Sequence, residues 1–488
     1  MRLSSLIETC KIVSLRGNQA AEITTVTSDS RQVEPGALFV AVEGICTDGH
    51  SYIGKAIEKG ALVVVYDKPM IEEYFSRVTY VQVENSAVAL AHIAAAWHGH
   101  PSRQLKLVGV TGTNGKTTIA TLLWQLFRNR GYAAGLISTV ANYVDGDKYP
   151  TTHTTPDPLT LNAFLRRMVD AGCEFAFMEV SSHAIHQKRI EALHFAGGIF
   201  TNLTQDHLDY HKNMLEYRNV KKLFFDNLPE DAFALTNLDD KNGPVMLQNS
   251  RADKKSYSVK GMADFKARIF EKHFNGTDIE INGRELVVQF VGVFNVYNLL
   301  AVYGAALLLG LSEEEVLREL TLLQPVAGRF QTLRSPKGFT AIVDYAHTPD
   351  ALSNVLNAIH EVLGSRGQII TVVGCGGNRD RTKRPIMARE AAERSDKVLL
   401  TSDNPRFEEP EDILSDMIEG LTEDQRQAAL TIVERREAIK TACALAQEGD
   451  VVLIAGKGHE DYQEIKGVKH HFDDREEVEK VFSSHRNP

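Results

Sequence analysis

Short runs of consecutive apolar residues recur along this chain, separated by stretches whose apolar positions fall at helical spacing. From Leu105 onward the runs Leu107 to Val110, Phe175 to Val180 and Gly198 to Phe200 alternate with amphipathic helical patterns. Strands that are apolar on both faces belong in a parallel sheet covered on both sides, so this texture predicts an α/β core. A second α/β pattern begins after Pro325-Val326-Ala327-Gly328-Arg329, with strands expected at 340–343, 368–373, 397–401 and 451–455, and it reads as doubly wound. Ahead of residue 100 the strands are shorter (38–42 and 62–65) and are parted by Gly- and Asp-bearing turns. The stretch His98-Gly99-His100-Pro101-Ser102 reads as a linker. Three α/β units are therefore expected: residues 1–100, 101–327 and 328–488, the central one with a mostly parallel sheet and the last Rossmann-like.

Composition narrows the possibilities. A chain of 488 residues with 43% hydrophobic content can bury several cores. Its longest apolar stretch, Ala301 to Gly310, is far too short to span a bilayer, and the N-terminus Met1-Arg2-Leu3-Ser4 lacks the apolar core and cleavage site of a signal peptide. The cytoplasm is expected, without membrane insertion. Lys and Arg number 54 against 64 Asp and Glu, and the net charge of −10 offers no general attraction to nucleic acid. Any anion must be met by a local site. The five cysteines (10, 46, 173, 375 and 443) lack CxxC or Cys/His spacing and read as small apolar fillers rather than disulfide partners or zinc ligands.

The strongest chemical signal is Gly109-Val110-Thr111-Gly112-Thr113-Asn114-Gly115-Lys116-Thr117-Thr118, between a buried strand and an amphipathic helix. A phosphate-binding loop needs glycines so that backbone N–H groups can curl around oxygens, a lysine for β/γ charge and a hydroxyl for magnesium. All are present, although Val110 stands where the common pattern has its first glycine. The loop by itself indicates a nucleoside triphosphate and no more.

The variant TGTNGKT resembles the Mur ligases, which have folylpolyglutamate synthetases as relatives. The resemblance continues through nearly the whole chain: Thr27-Ser28-Asp29-Ser30-Arg31, Pro35 to Ala41 and Asp48-Gly49-His50 before the loop, then His153 to Asp157, Glu179 to Ala184, Gln187 and Arg189, Thr201 to His211 and Tyr217 to Phe224. It implies a first domain that binds the UDP-MurNAc moiety, a segment folylpolyglutamate synthetases lack, and a central ATPase-like domain. It implies contacts to the precursor UDP-MurNAc-L-Ala-D-Glu from Ser30, Thr154, Thr155, Ser181, Gln187 and Arg189. ATP would be held by Gly112, Thr113, Asn114, Gly115, Lys116, Thr117 and Thr118, with Asn295, Arg329, Asp344 and His347 approaching from the domain junction. Standing alone, Asn295 reads as a helix cap and Arg329 as a surface cation. Mg2+ would be held by Thr117, Glu179, His207 and Lys221. Glu179 ends an apolar strand, where open α/β sheets present ligand-binding groups, and a carboxylate suits magnesium. The His/Asp cluster around 206–211 reads from the residues alone as either a metal site or a solvated loop. Lys221 and Lys222 are equivalent on the same terms; the family register (Tyr-x-x-small-Lys) selects Lys221, as a carbamylated lysine, although Val220 replaces the usual alanine.

In the third unit, Gly374 to Arg381 with Lys383-Arg384-Pro385 reads as basic and flexible, and Asn378 replaces a common Asp. Asp403-Asn404-Pro405-Arg406 resembles the DNPR motif of family members that accept meso-diaminopimelate; lysine-adding members lack the arginine. A planar guanidinium can pair with the distal carboxylate that distinguishes diaminopimelate from lysine. Arg379, Asp403, Asn404, Pro405, Arg406, Gly456 and Glu460 are the implied amino-acid contacts, Glu460 receiving the distal ammonium. The implied reaction is an ATP-dependent amide ligation through an acyl phosphate by a monomer in peptidoglycan precursor synthesis. A lysine-adding or folate-type ligase, a P-loop switch and an inactive UDP-sugar-binding protein are the alternatives.

Overall fold

In the computed structural model, which describes residues 1–44, 47–69, 74–151, 153–364 and 366–484, the predicted apolar runs lie inside three sheets. Cys46 falls outside the described residues. The first sheet holds β1 (Ile12–Arg16), β2 (Val26–Thr27), β3 (Leu38–Val40), β4 (Val63–Tyr66) and β5 (Thr79–Val83) in the order β1-β5-β4-β3-β2, parallel except for the β1–β5 pair. The second is built from β6 (Lys106–Thr111), β7 (Ala134–Ile137), β8 (Asn142–Val144), β9 (Asp147–Tyr149), β10 (Phe175–Glu179), β11 (Gly197–Phe200), β12 (Phe233–Asn237), β13 (Asp253–Ser258), β14 (Phe265–His273), β15 (Gly276–Ile281) and β16 (Arg284–Val288). Its order is β16-β15-β14-β13-β12-β11-β6-β10-β7-β8-β9, a parallel centre with an antiparallel hairpin strip on each edge. The third contains β17 (Gln331–Arg334), β18 (Thr340–Asp344), β19 (Ile369–Val373), β20 (Lys397–Leu400), β21 (Leu430–Thr431) and β22 (Val451–Ala455), ordered β17-β18-β22-β19-β20-β21 and parallel except at β17. A separate hairpin, β23 (Tyr462–Ile465) and β24 (Val468–His471), follows.

The central strands are apolar throughout because they have a core on each side. Val108, Val110 and Phe177 face the helices Lys116–Asn129 and Val293–Leu308, while Leu107, Ala176 and Met178 face Pro158–Asp170 and Met214–Asp226. The period of two along each strand thus assigns alternate residues to the two cores. The apolar stretch at 301–310 is spent on the buried face of the helix Val293–Leu308. No helix among the described residues is long and apolar enough to cross a membrane.

Two expectations need correction. The stretch 98–102 is a packed joint, not a loose linker: Pro101 and Ser102 are buried, and Ser102 Oγ accepts the His194 N–H at 3.1 Å. The basic segment after β19 is neutralised and held. The fully buried Arg384 donates to Glu408 and Asp416 at 2.7–2.9 Å, Arg381 donates to Asp416 at 3.0 and 3.1 Å, and Lys383 Nζ donates to the His347 carbonyl at 2.9 Å. The acidic partners lie 24 to 35 residues away in sequence, which is why the segment reads as free positive charge.

A second buried pair closes the third unit. Arg435 and Asp474, both with side chains fully buried, form two bonds of 2.7 Å, and Arg435 also donates to the Ala455 carbonyl at the end of β22. Removing one member of such a pair strands the other in a low dielectric. Asp474→Ala should therefore destabilise this unit by about 3–5 kcal/mol, read as a lower urea midpoint of its unfolding transition; an unchanged midpoint would refute the role assigned to the pair.

Candidate functional site

Strand β6 lies between β10 and β11, the place where chain order reverses across the sheet and the carboxyl ends of neighbouring strands open a crevice. Each of the three strands supplies part of the site. The loop after β6 turns through Gly112 (φ 147°) and Gly115 (φ 89°) into the helix Lys116–Asn129. A Cβ on Gly112 would stand 1.9 Å from Thr201 Oγ1, and one on Gly115 2.5 Å from Asn298 Oδ1, so both positions require glycine for space as well as for φ. Gly109, by contrast, faces Phe224 from within β6 and serves packing. Thr113 N–H donates to the Asn202 carbonyl and Asn114 N–H to Asn202 Oδ1, both at 2.9 Å, tying the loop to the segment after β11. Lys116 Nζ folds over the loop onto the carbonyls of Gly112 (3.0 Å) and Thr113 (2.7 Å), while Thr118 is buried one residue past Thr117.

The residues expected to hold magnesium converge on this loop. Thr117 Oγ1 donates to Glu179 Oε1 at 2.9 Å, with Glu179 buried at the end of β10. Lys221, on the helix Met214–Asp226, is 1% exposed and donates to the Gly112 carbonyl at 2.9 Å, whereas Lys222 turns away to pair with Asp226. Burial, followed by repulsion from Lys116, holds the Lys221 amine well below its usual range. His207 sits in the left-handed region (φ 54°) with Nε2 3.3 Å from Asp206, and desolvation keeps it neutral, pushed down to about 3. Burial opposes the Asp206 charge, but His207, His347, Lys383 and Lys116 outweigh it and hold that carboxyl at about 2. A hydroxyl, a carboxylate, a neutral imidazole and a buried amine whose carbamate would add an anionic oxygen fit a hard divalent cation.

The third sheet faces the loop with its own strand ends. Arg329 Nη2 donates to Thr117 Oγ1 at 3.1 Å and lies 4.5 Å over the Tyr345 ring, so it is an inter-unit contact rather than a surface cation. Asp344 ends β18, accepts the Phe330 N–H at 2.6 Å and is pushed up to about 6 by burial. His347 is held down to about 4 by burial, then by Lys383, and shares its Nδ1 with the Tyr345 carbonyl at 2.8 Å. Asn295 is inside its helix and not its cap: Gly292 occupies the cap, and Asn295 Nδ2 donates back to the Val291 carbonyl.

The residues of the central unit expected to contact the precursor form one chain of bonds. Thr155 Oγ1 donates to the Glu179 carbonyl (2.8 Å) and accepts from Ser181 N–H (3.2 Å); Arg189 donates to the Thr155 carbonyl (2.7 Å) and to Gln187 Oε1 (2.6 and 3.0 Å). Thr154 accepts from Thr139, whose own N–H donates to Glu179 Oε1 at 2.7 Å. Ser30 is buried after β2, and among the described residues no hydrogen bond joins its side chain to this set.

Among the residues expected to contact the amino acid, Asp403-Asn404-Pro405-Arg406 follows β20 and Gly456 follows β22, its N–H donating to the Asp344 carbonyl. Arg406, also left-handed (φ 54°), donates from Nη1 to the Gly377 carbonyl at 2.8 Å and stands 3.5 Å from Glu464. Asn404 Nδ2 donates to Glu460 Oε2 at 2.8 Å. Arg379 is exposed and stands apart from these bonds. Sequence reasoning missed Thr139, Asn298, Asp350 and Lys457. Asn298 lies one helical turn beyond Asn295 and donates to it, a spacing that could have revealed it; Asp350 accepts from Asn114 Nδ2 at 3.0 Å across 236 residues, which no local pattern announces.

A P-loop facing a second set of strand ends defines an enzyme that uses the loop at a junction between two α/β units. Comparison with known proteins gives the particular family: residues 22–98 match the model of the Mur ligase family catalytic domain, 110–306 the Mur ligase middle domain and 328–458 the Mur ligase glutamate ligase domain. A relative from Parabacteroides distasonis, a UDP-N-acetylmuramoyl-L-alanyl-D-glutamate--2,6-diaminopimelate ligase, is 60% identical over 488 residues, covering all of both chains. A solved structure of a ligase of that name aligns with a TM-score of 0.68 at 31% identity, again over all of both chains. The MurF ligase of Thermotoga maritima in complex with ADP shares the fold at a TM-score of 0.60 and 19% identity, over 94% of this chain and 97% of its own. The chain belongs to the Mur ligase family.

Lys116 brings the only loop charge within reach of the crevice. Lys116→Ala should lower turnover by roughly two orders of magnitude or more, as when a preorganised charge facing a developing anion is lost. Initial rates of ADP formation check this, and wild-type rates in the variant would remove the loop from the mechanism.

Proposed function

We propose that this chain joins meso-2,6-diaminopimelate to the D-glutamate of UDP-MurNAc-L-Ala-D-Glu at the expense of ATP. The observation that carries the reading is the half-buried Arg406 guanidinium, pinned by Gly377 beside the Asn404–Glu460 pair: a cation for a distal carboxylate next to an anion for a distal ammonium. The printed name of the Parabacteroides relative, with full coverage at 60% identity, supports it. The boundaries of the three units fall near residues 101 and 328, and the first unit takes the uridine nucleotide, with Ser30 in its site. ATP as substrate puts the reaction in the cytoplasm, and a monomer suffices because one chain carries every set of contacts.

In this reaction a γ-carboxylate oxygen attacks the ATP γ-phosphorus, and the β–γ bridging bond breaks with its electron pair leaving on ADP. The diaminopimelate amine then attacks the acyl phosphate carbonyl and gives up a proton, and phosphate departs from the tetrahedral intermediate. Lys116 and the loop N–H groups, with Thr113 to Thr118, orient the triphosphate; Arg329 steadies Thr117, and Asn295, Asp344 and His347 bound the nucleotide from the junction. Thr154, Thr155, Ser181, Gln187 and Arg189 orient the precursor. Such positioning and charge neutralisation supply most of the acceleration of phosphoryl transfer. Magnesium, held by Thr117, Glu179, His207 and a carbamate on Lys221, would neutralise phosphate charge.

Two measurements test the reading. Carbamylation needs a neutral amine and carbon dioxide, forming an N–C bond and releasing a proton, and Lys221 supports this by its burial. Lys221→Ala should lose activity and recover part of it with formate or acetate, which can occupy the vacated anion position; full activity without additive would exclude the modification. Arg406→Ala should raise KM for diaminopimelate by roughly 30-fold or more, since losing one side of a buried charge pair costs about 2 kcal/mol or more. Lysine turnover should change far less, and Arg379→Ala should show a partial version of the effect. Equal losses for both amino acids in a phosphate-release assay would refute the specificity assigned to Arg406.

A further inference from the structure

The amino-acid pocket contains a cation that the reaction above leaves without a task. Lys457, in the loop after β22, has a fully buried side chain with Nζ 3.2 Å from Glu460 Oε2, 3.2 Å from Asn404 Oδ1 and 3.8 Å from Asp403 Oδ1. Two carboxylates thus share one buried ammonium. Neighbouring carboxylates out of water repel, and one of them takes up a proton unless a cation sits between them. The two oxygens of Glu460 are treated unequally. Oε2 is taken by Lys457 and Asn404, while Oε1 has only the Tyr345 hydroxyl at 3.4 Å. A carboxylate oxygen so placed has acceptor capacity left for one more ammonium.

We propose that Lys457 is a positioning residue for substrate selection: its ammonium fixes Glu460 through Oε2 and keeps it ionised, leaving Oε1 to receive the distal ammonium of the incoming diamino acid. The inference rests on the diaminopimelate reading given above. Burial first, and Asp403 second, push the Glu460 carboxyl upward, and Lys457 and Asn404 hold it back. Other charged or titratable groups reach the pair from every side. Tyr345 comes from the end of β18, Tyr462 from β23, and Arg435 from its own helix, where Asp474 already occupies it; Arg406 and Glu464 lie beyond Tyr462. Among these, Lys457 is the ammonium in direct contact with Glu460.

The sign follows from the charge. Without Lys457 the Glu460 carboxyl rises further, so it takes up a proton at a higher pH than in wild type and then loses its attraction for an ammonium; raising the pH restores the carboxylate. Diaminopimelate-dependent phosphate release should be measured for wild type, Lys457→Met and Lys457→Arg from about pH 6.5 to about 9.5, the range in which buried carboxyls without a cation titrate. The ratio of the variant KM for diaminopimelate to that of wild type, which cancels titration of the substrate amine, is the readout. For Lys457→Met it should be roughly 10-fold or more at the acid end and fall toward one at the alkaline end, with kcat changed less. Lys457→Arg, which keeps the charge, should give a ratio that does not vary with pH.

A folded Lys457→Met whose ratio is flat across the range, whether near one or high, overturns the proposal. If circular dichroism shows that Lys457→Met does not fold, Lys457→Arg decides: a flat ratio supports the charge role and a pH-dependent one refutes it. If wild type releases phosphate with another amino acid but not with diaminopimelate, the substrate reading fails and takes this inference with it; normal wild-type dependence with a flat variant ratio removes the role of Lys457 alone.

Discussion

One hydroxyl group joins the parts of this molecule that must act together. Thr117 Oγ1 donates its single proton to Glu179 and accepts from Arg329, so the phosphate loop, the end of β10 and the first residues of the third unit meet at one oxygen. A second bond, from Asn114 to Asp350, repeats the connection a few residues away. Because each contact is a directed bond between a loop residue and the facing unit, donated by Arg329 in one case and by Asn114 in the other, a shift of the third unit changes both at once. The nucleotide loop therefore has no geometry independent of the unit that faces it.

The same crevice shows why buried charge is tolerated here. Lys116, Lys221, Glu179 and Asp206 would each be costly to desolvate alone. They are affordable as a group because parallel strands all deliver their carboxyl ends to one side of the sheet, which places opposite charges and loop carbonyls within a few ångströms of one another. Desolvation has a chemical consequence as well. It shifts the Lys221 amine toward its neutral form relative to an exposed lysine. The left-handed backbone at His207 and Arg406 is a further local cost, of order 1–2 kcal/mol each, one beside the phosphate crevice and one in the loop after β20.

What the chain discloses before folding depends on how local the cause is. The loop at 112–118 and the Asp403–Arg406 segment stand out as short runs of turn-forming residues that lie just after β6 and β20, and the central strands were legible because burial on two faces leaves an unmistakable apolar run. The edge strands β14, β15 and β16 escaped notice: with one face in water, as in the mostly polar Phe265–His273, they carry no such run. The basic stretch near 379–384 was misread for a related reason, since Arg384 is matched by Glu408 and Asp416 on segments that only the fold brings near. Thr139 left no signal at all, because its contribution to Glu179 is a backbone N–H that any residue but proline could offer.

The two larger sheets divide the proposed reaction between them for a geometric reason. Phosphoryl transfer from ATP is indifferent to which amine comes next, so the groups that handle phosphate can all sit at the ends of β6, β10 and β11. Choosing the amine requires recognising its far end, several bonds from the atom that reacts, and that far end must be reached by residues outside the phosphate crevice. The loops after β19, β20 and β22 provide such a place: they carry Gly377, Arg406 and Glu460, and Glu460 is linked to the phosphate loop through the Tyr345 hydroxyl and through Arg329, which lies over the Tyr345 ring and donates to Thr117. In the proposed reaction the choice of amino acid falls to the loops of the third sheet, whereas Thr117, Glu179 and Lys221 serve the phosphoryl step that is common to every amine.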